Sequence, residues 1–183
     1  LSSSDAWLES TPQDPQAQSN VARVLRALAD PLQYQDPQRA EYLNRALGLF
    51  DSASKLDEAD INNLFNAAQC AADIGDGSGA IARYKRLLDE NAGIQGLFAA
   101  AVTNNLAEAL EQSRSNEQIL RESAALVRES IAFQEHPAFL STLGWIELKL
   151  GNEIEAANSF NRILSLNPDS IEGWAGTAVL LRN

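Results

Sequence analysis

Residues 143–168 read LGWIELKLGNEIEAANSFNRILSLNP, two helix-length segments on either side of Gly151-Asn152. Each segment has a small residue, Gly144 or Ala156, where a packed helix usually has a large one. Glycine inside a helix costs about 1 kcal/mol relative to alanine, so another interaction must offset that cost. The pattern favours two antiparallel helices that cross closely at these two residues.

Helical patterns run through the rest of the chain as well. Segments rich in Ala and Leu, with apolar residues three and four positions apart, recur along the chain, whereas sustained strand-like alternation is missing. The sequence therefore predicts an all-α fold of nine helices, joined mostly by short turns that make neighbours antiparallel. Asp14-Pro15 and Asp36-Pro37 each have the form of an N-cap followed by proline at the first helical position.

Several helix boundaries are part of this prediction. The second helix is expected to end before the polar stretch 51–60, and the third to cover about 58–74. The fourth is expected to begin at Ala80, after the turn GDGSG at 75–79. The first helix is expected to have one apolar face, formed by Val21, Val24, Leu25 and Leu28.

Around Gly144, small and large apolar residues have a regular spacing that extends over residues 137–170. Ala156 follows Gly144 by twelve positions, Phe160 follows four later, and Pro168 closes the segment. This spacing resembles the tetratricopeptide repeat, a helix pair of about 34 residues with the pattern W-x2-L-G-x2-Y, then A-x3-F, then P. Leu140 stands at the Trp position and Glu147 at the Tyr position, while the Leu, Gly, Ala, Phe and Pro positions match.

Other stretches fit the same repeat. One unit is 61–94, in which Leu64, Ala68, Ala80 and Tyr84 take the packing positions. Another is 100–136, which fits once about four residues are inserted after its first helix, so that Ala107 pairs with Ser123. Residues 171–183 form a half unit or capping helix in which Ala178 lies 34 positions after Gly144, and 14–56 form a degenerate unit. A single helical repeat domain, 14–183, therefore follows a flexible polar arm, 1–13.

The resemblance implies a right-handed α-α superhelix, a solenoid of antiparallel helix pairs. In this family the first helix of each unit lines a concave groove that holds a peptide or partner domain. Carrying the family's exposed groove positions onto this sequence gives a candidate partner-binding set. Its members are Asn62, Phe65, Gln69, Asn104, Glu108, Glu111, Ser141, Trp145 and Lys149. Phe65 and Trp145 are equally consistent with core positions.

Charge narrows the class of partner. Fourteen Lys and Arg against 25 Asp and Glu give a net charge of −11, which argues against a nucleic acid or an anionic membrane surface. No apolar run approaches the roughly 20 residues of a membrane span. Family members that clamp a C-terminal carboxylate carry Lys and Arg on their first helices, and 58–74 and 98–113 carry none. The sequence thus favours a neutral or basic protein or peptide partner and indicates no oligomeric state.

Catalysis has no support in the residues. The single cysteine, Cys70, lies in an apolar run and is expected to be a small core residue, and the single histidine, His136, lies in a different segment. The loop DIGDGSGA at 73–80 lacks the glutamate of a calcium loop at its twelfth position and the Gly-Lys-Ser/Thr of a phosphate loop. We expect no cofactor, no metal and no enzymatic activity.

Together these features predict a non-catalytic scaffold for protein–protein interaction. The alternative is an accessory region of a larger enzyme or secretion-assembly protein whose active part lies elsewhere. The chain contains no Met, which is expected of a processed product or of a piece of a longer chain, and the abrupt end IEGWAGTAVLLRN favours the second. A soluble, cytoplasmic location is favoured, and a periplasmic one requires a signal in the parent chain.

Overall fold

The computed structural model describes residues 13–90, 94–113 and 116–182, and within them α-helices are joined by turns and loops, with no strand. The predicted arm, residues 1–13, lies outside this range except for Gln13. No helix among the described residues is long and apolar enough to cross a bilayer. The helices of the described chain are α1 (Pro15–Ala29), α2 (Pro37–Leu56), α3 (Ile61–Asp73), α4 (Gly77–Glu90), α5 (Gly96–Ser113), α6 (Glu117–Phe133), α7 (Pro137–Lys149), α8 (Glu153–Leu166) and α9 (Ile171–Leu180).

The chain divides into two compact units, Leu1–Asp89 and Glu90–Asn183. In the first unit, α1 packs on α2 and α2 packs on α3. In the second, α5 pairs with α6 and α7 pairs with α8, and α7 also contacts α5 and α9. The first helices of successive pairs, α5, α7 and α9, therefore lie side by side in the second unit. A single domain over 14–183 stays a prediction.

The predicted helix starts are confirmed by their caps. The Oδ1 of Asp14 accepts the N–H of Gln16 at 2.9 Å, and the Oδ1 of Asp36 accepts the N–H of Gln38 at 2.8 Å. Each cap satisfies a backbone donor that has no partner within its helix, and the following proline lacks such a donor.

Two helices end in the same turn, which requires glycine. Gly75 after α3 and Gly151 after α7 have φ of +85° and +78°. The N–H after each glycine returns to the carbonyl five residues earlier, at 2.8 Å to Ala71 and 2.9 Å to Glu147. A side chain at either glycine would strain this left-handed backbone, so glycine fixes where the chain reverses.

Two segments of the chain, 61–94 and 137–170, share this geometry, and corresponding residues in them are 76 positions apart. The offset that relates Gly75 to Gly151 also relates the predicted packing positions of 61–94 to those of 137–170. All of these positions are buried: Leu64, Ala68, Ala80 and Tyr84 in one segment, and Leu140, Gly144, Ala156 and Phe160 in the other. Leu87 and Ile163, which are related by the same offset, are buried as well.

Three helices of the second unit converge on the ring of Phe160. Phe160 is fully buried. A Cβ at Gly144 of α7 would lie 2.7 Å from this ring, and a Cβ at Gly176 of α9 would lie 2.3 Å from it. Real Cβ atoms do not approach other atoms this closely, so both helices reach Phe160 only because these residues are glycine. Close packing thus offsets the propensity cost of glycine inside α7.

A charged group is buried where the repeat pattern has an aromatic one. Glu147 of α7 is fully buried, and its carboxylate accepts hydrogen bonds from the guanidinium of Arg128 in α6 and, at 2.7 Å, from the Nδ2 of Asn152. A buried carboxylate needs such partners because desolvation otherwise disfavours its charge. Glu147 therefore ties α6 to α7 and holds the turn after α7.

Two of the predicted packing assignments are wrong. Val24 and Leu28 are 53% and 43% exposed, because α1 buries the adjacent stripe of Val21, Ala22, Leu25 and Ala29. Ala178 is exposed, since no second helix follows α9 within the described residues to pack on it. Gly176, two positions earlier, makes the close contact instead.

Three predicted helix boundaries also differ from those in the structure. Helix α2 continues into the polar stretch as far as Leu56, and Ala53 and Ser54 in this added part are buried. Helix α3 begins at Ile61 rather than near 58, capped by Asp60, whose Oδ1 accepts the N–H of Asn62 at 3.1 Å. Helix α4 begins at Gly77 rather than Ala80, because Asp76 accepts the N–H of Gly79 at 2.9 Å.

The expected role of Cys70 as a core residue is confirmed in the first unit. It is fully buried in a cluster that includes Leu25, Leu43, Phe50 and Ala67. Burial raises the pKa of the thiol from 9.0 to about 11, although the nearby Arg26 counteracts part of this effect.

We expect Gly176→Ala to destabilise the second unit by about 2 kcal/mol, because overpacking costs about 1–3 kcal/mol and the gain in helix propensity recovers only part of it. Urea unfolding followed by circular dichroism measures the change. Gly48→Ala in α2 is the matched control: a Cβ there meets nothing within 4 Å, so stability should rise by up to about 1 kcal/mol. A Gly176→Ala protein as stable as the wild type would contradict the packing described for Phe160.

We expect Cys70 in the native protein to react with iodoacetamide at pH 8 at least about 100-fold more slowly than in urea. Two pKa units reduce the thiolate fraction by that factor, and burial adds a steric barrier. Because the folded pKa lies above the unfolded one, this thiol favours folding below about pH 9 and loses that contribution as the pH rises toward 11. Equal rates in buffer and in urea would show that Cys70 is accessible.

Candidate functional site

Two adjoining cavities form a groove along the first helices of the second unit. The first, the Trp145 cavity, has a volume of about 460 Å³, and the second, the Asn104 cavity, about 410 Å³. The Trp145 cavity is lined by Glu108, Glu111, Gln112, Ser141, Thr142, Trp145, Ile146 and Lys149. The Asn104 cavity is lined by Asn104, Asn105, Glu108, Pro137, Ala138, Ser141, Thr142, Ile163, Ser170 and Glu172. Glu108, Ser141 and Thr142 border both, so the groove is continuous.

Six of the nine predicted partner-binding residues lie in this groove. They are Asn104, Glu108, Glu111, Ser141, Trp145 and Lys149. They come from α5 and α7, whose spacing places these positions on one side of each helix. The remaining three, Asn62, Phe65 and Gln69, lie on α3 in the first unit.

Trp145 combines a packing contact with a groove surface. Its ring meets the ring of Phe160 edge to face, with centroids 5.2 Å apart and an angle of 65° between the planes. The side chain is half-buried and lines the cavity. The sequence is equally consistent with a core position and a groove position for Trp145, and the side chain has both roles. Such a fixed aromatic surface suits contact with an apolar side chain.

The cation of the Trp145 cavity is paired. Lys149 of α7 forms an ion pair with Glu111 of α5, whose side chain is 10% exposed. The pair neutralises most of the charge at this end of the groove. It also links the two helices that form the groove walls.

Acceptor groups dominate the Asn104 cavity. Asn104 is 4% exposed, and its Oδ1 finds no hydrogen-bond donor among the described residues. Glu108 accepts a hydrogen bond from Gln112 at 3.2 Å, and Glu172 accepts one from Ser170 at 3.0 Å. The backbone N–H of Glu172 and the Ser170 hydroxyl lower the pKa of the Glu172 carboxyl, so this group is ionised at neutral pH.

In the first unit, α3 presents a different surface. Asn62 is exposed and donates to Asp60 at 2.8 Å, and Phe65 meets Tyr84 edge to face at 6.2 Å. Gln69 accepts a hydrogen bond from Arg26 of α1 at 2.6 Å, so α1 occupies part of the predicted surface.

Arg26 also lies 3.8 Å from the carboxylate of Asp73 at the end of α3. Burial raises the pKa of Asp73, and the charges of Arg26 and Arg39 counteract part of that rise. No sequence pattern indicates these contacts, because they join residues that are far apart in the chain.

Sequence reasoning also missed Thr142, Ser170 and Glu172 as groove residues. Ser170 and Glu172 belong to the start of α9, the first helix of the predicted half unit, so the repeat register itself was the available signal. As for catalysis, the described residues contain no cluster of three or more His, Cys, Asp or Glu that could hold a metal ion.

The sequence matches no protein-family model and no curated protein, whereas solved structures resemble the chain over nearly its whole length. One is YrrB, described as a TPR protein with an unusual peptide-binding site. It is 16% identical over 97% of this chain and 81% of its own, with a TM-score of 0.64. Another is residues 41 to the end of MamA from Desulfovibrio magneticus RS-1, which is 17% identical over 91% of this chain and 84% of its own, with a TM-score of 0.70.

Yeast Tom70 is a third such structure. It is 13% identical, with a TM-score of 0.64, and the match covers 98% of this chain and 42% of Tom70. At these identities the likeness concerns the fold, and it agrees with the helix pairs, glycine turns and buried small residues described above. The chain therefore has the fold of the tetratricopeptide-repeat proteins, an all-α helical repeat of the solenoid class.

Proposed function

We propose that this protein is a non-catalytic interaction scaffold that holds a peptide segment or a partner domain in the groove of its second unit. The observation that carries the proposal is the continuity of the groove across α5, α7 and the start of α9. A groove made of two adjoining cavities suits an extended segment better than a compact small molecule. YrrB, which is similar in fold, is described as having a peptide-binding site.

The groove's chemistry favours a protein segment. Asn104 and Asn105 carry carboxamides, which both donate and accept hydrogen bonds and so match the alternating groups of a peptide backbone. Trp145 offers a fixed aromatic surface of the kind that often dominates binding energy. A nucleic acid would need a positive surface, and the lining residues carry Glu108, Glu111 and Glu172 against the paired Lys149.

The partner segment is neutral or basic. An acidic C-terminus would need an available cation, as in chaperone adaptors of the carboxylate-clamp type, and Lys149 is already paired with Glu111. Carboxylates at Glu108 and Glu172 would repel an acidic segment. No catalytic role is assigned to any residue.

Selection of peptides from a random phage-displayed library on the wild-type protein tests this function. We expect selected peptides to bind in solution and to bind Ser141→Arg at least about 10-fold more weakly, because Ser141 borders both cavities and a long side chain there fills the groove. Fluorescence anisotropy of the labelled peptides measures the affinity.

Asn161→Arg is the matched control, since it adds the same side chain at an exposed position of α8 that does not line the groove. It should keep wild-type affinity. Circular dichroism checks that both variants are folded. Peptides that bind all three proteins equally, or a selection that enriches nothing, would rule out the groove as the binding surface.

A further inference from the structure

We propose that the Asn104 cavity is a subsite for one Lys or Arg side chain of the bound segment. This inference rests on the proposed peptide-binding function and names what one part of the groove recognises. Its starting point is the sign of the charges: Glu108 and Glu172 are the charged residues among those that line the cavity, and both are acidic.

A buried acceptor without a donor gives the cavity its second, independent feature. The Oδ1 of Asn104 lies in a side chain that is 4% exposed, and no described residue donates to it. A buried polar atom left without a partner costs about 1–3 kcal/mol, so this oxygen requires a donor from outside the described residues, and a bound segment can supply one. An ammonium or guanidinium group supplies only donors, three and five respectively.

The walls of the cavity supply further acceptors, and the described residues that line it include no Lys or Arg. Ser141 and Ser170 carry hydroxyls at its edge, and Ser170 already donates to Glu172 at 3.0 Å. The carboxylates of Glu108 and Glu172 come from different helices, α5 and α9. A cation between them would form charge-assisted hydrogen bonds, which are about twice as strong as neutral ones.

The adjoining Trp145 cavity sets where a second side chain of the bound segment would be held, and we call each held side chain an anchor. Along α7, Ala138 of one cavity and Trp145 of the other are about 10 Å apart at 1.5 Å per residue. An extended peptide advances about 3.3 Å per residue, so the two anchors fall about three residues apart. The bound segment is thus expected to carry a basic residue followed or preceded, about three positions away, by an apolar or aromatic one.

Synthetic peptides of the form acetyl-Ser-Ala-X-Ala-Ala-Trp-Ala-Ser-amide, and the same peptides with X and Trp exchanged, test the subsite. X is Lys, Arg, norleucine or Glu, and norleucine keeps the length of lysine without its charge. Titration followed by NMR chemical shifts measures each Kd. In one or both orientations we expect Lys and Arg to bind at least about 10-fold tighter than norleucine, and Glu to bind more weakly than norleucine.

The double variant Glu108→Gln, Glu172→Gln should abolish the preference for Lys and Arg over norleucine. A net charge of −11 attracts any cationic peptide, so a matched control is required. Glu122→Gln, Glu129→Gln removes the same charge from exposed positions of α6 that do not line the groove, and should preserve the preference. Equal losses in both double variants would show general attraction and overturn the subsite.

Asn104→Leu separates recognition from packing. Leucine has nearly the shape of asparagine and removes the unpartnered Oδ1, so the urea midpoint of unfolding should stay the same or rise. Affinity for the Lys and Arg peptides should nevertheless fall at least about 5-fold, with the norleucine peptide unaffected. A variant that loses stability and binds every peptide equally weakly would assign Asn104 a structural role and contradict the proposal.

The outcomes also separate this inference from the proposed function. If peptides bind the wild-type groove, and lose affinity for Ser141→Arg, without preferring a basic residue, that result would support the scaffold function and overturn the subsite. If no phage-selected or synthetic peptide binds the groove, the proposed function fails and the subsite fails with it.

Discussion

Contact of two glycines with the ring of Phe160 is the constraint on which the second unit depends. The ring leaves no room for a Cβ at Gly144 or Gly176, so α7 and α9 approach Phe160 of α8 more closely than any residue larger than glycine would allow. This approach sets α9 beside α7, where Ser170 and Glu172 close one end of the groove. The groove is therefore a consequence of how small residues pack. A larger residue at either glycine would displace a helix that carries part of the groove wall.

Much of this arrangement could be predicted because it follows from spacing. Gly144, Ala156 and Phe160 fix where two helices cross, and the same spacing at Ala68, Ala80 and Tyr84 gives the same buried positions. Once the crossing side of a helix is fixed, the other side follows from its 3.6-residue period. The candidate groove residues of α5 and α7 come from the exposed positions of the tetratricopeptide family, carried onto this register, and six of them line the two cavities.

Other features, such as the exposure of individual apolar residues and the contacts between helices, could not be predicted because they depend on which helix covers which face. Val24 and Leu28 have the periodicity of core residues, yet α1 turns the neighbouring alanine-rich stripe toward α2 and α3. Glu147 occupies an aromatic position because Arg128, on another helix, supplies a charge for it. Arg26 reaches Gln69 across 43 residues of sequence. Each outcome is a tertiary contact that overrides a local pattern.

Recognition and packing are largely separated along α7 but meet at two residues. Gly144 and Glu147 are buried in the unit and do not line the groove, whereas Ser141 and Lys149 line it, so these groove residues can change while the core stays the same. Trp145 and Ile146 do both: Trp145 packs on Phe160, Ile146 is buried, and each lines the groove. A segment that spans both cavities would contact α5, α7 and α9 together and so bind more tightly when α9 is docked on Phe160. By linkage, such a segment stabilises that docking by the same free energy with which docking favours binding.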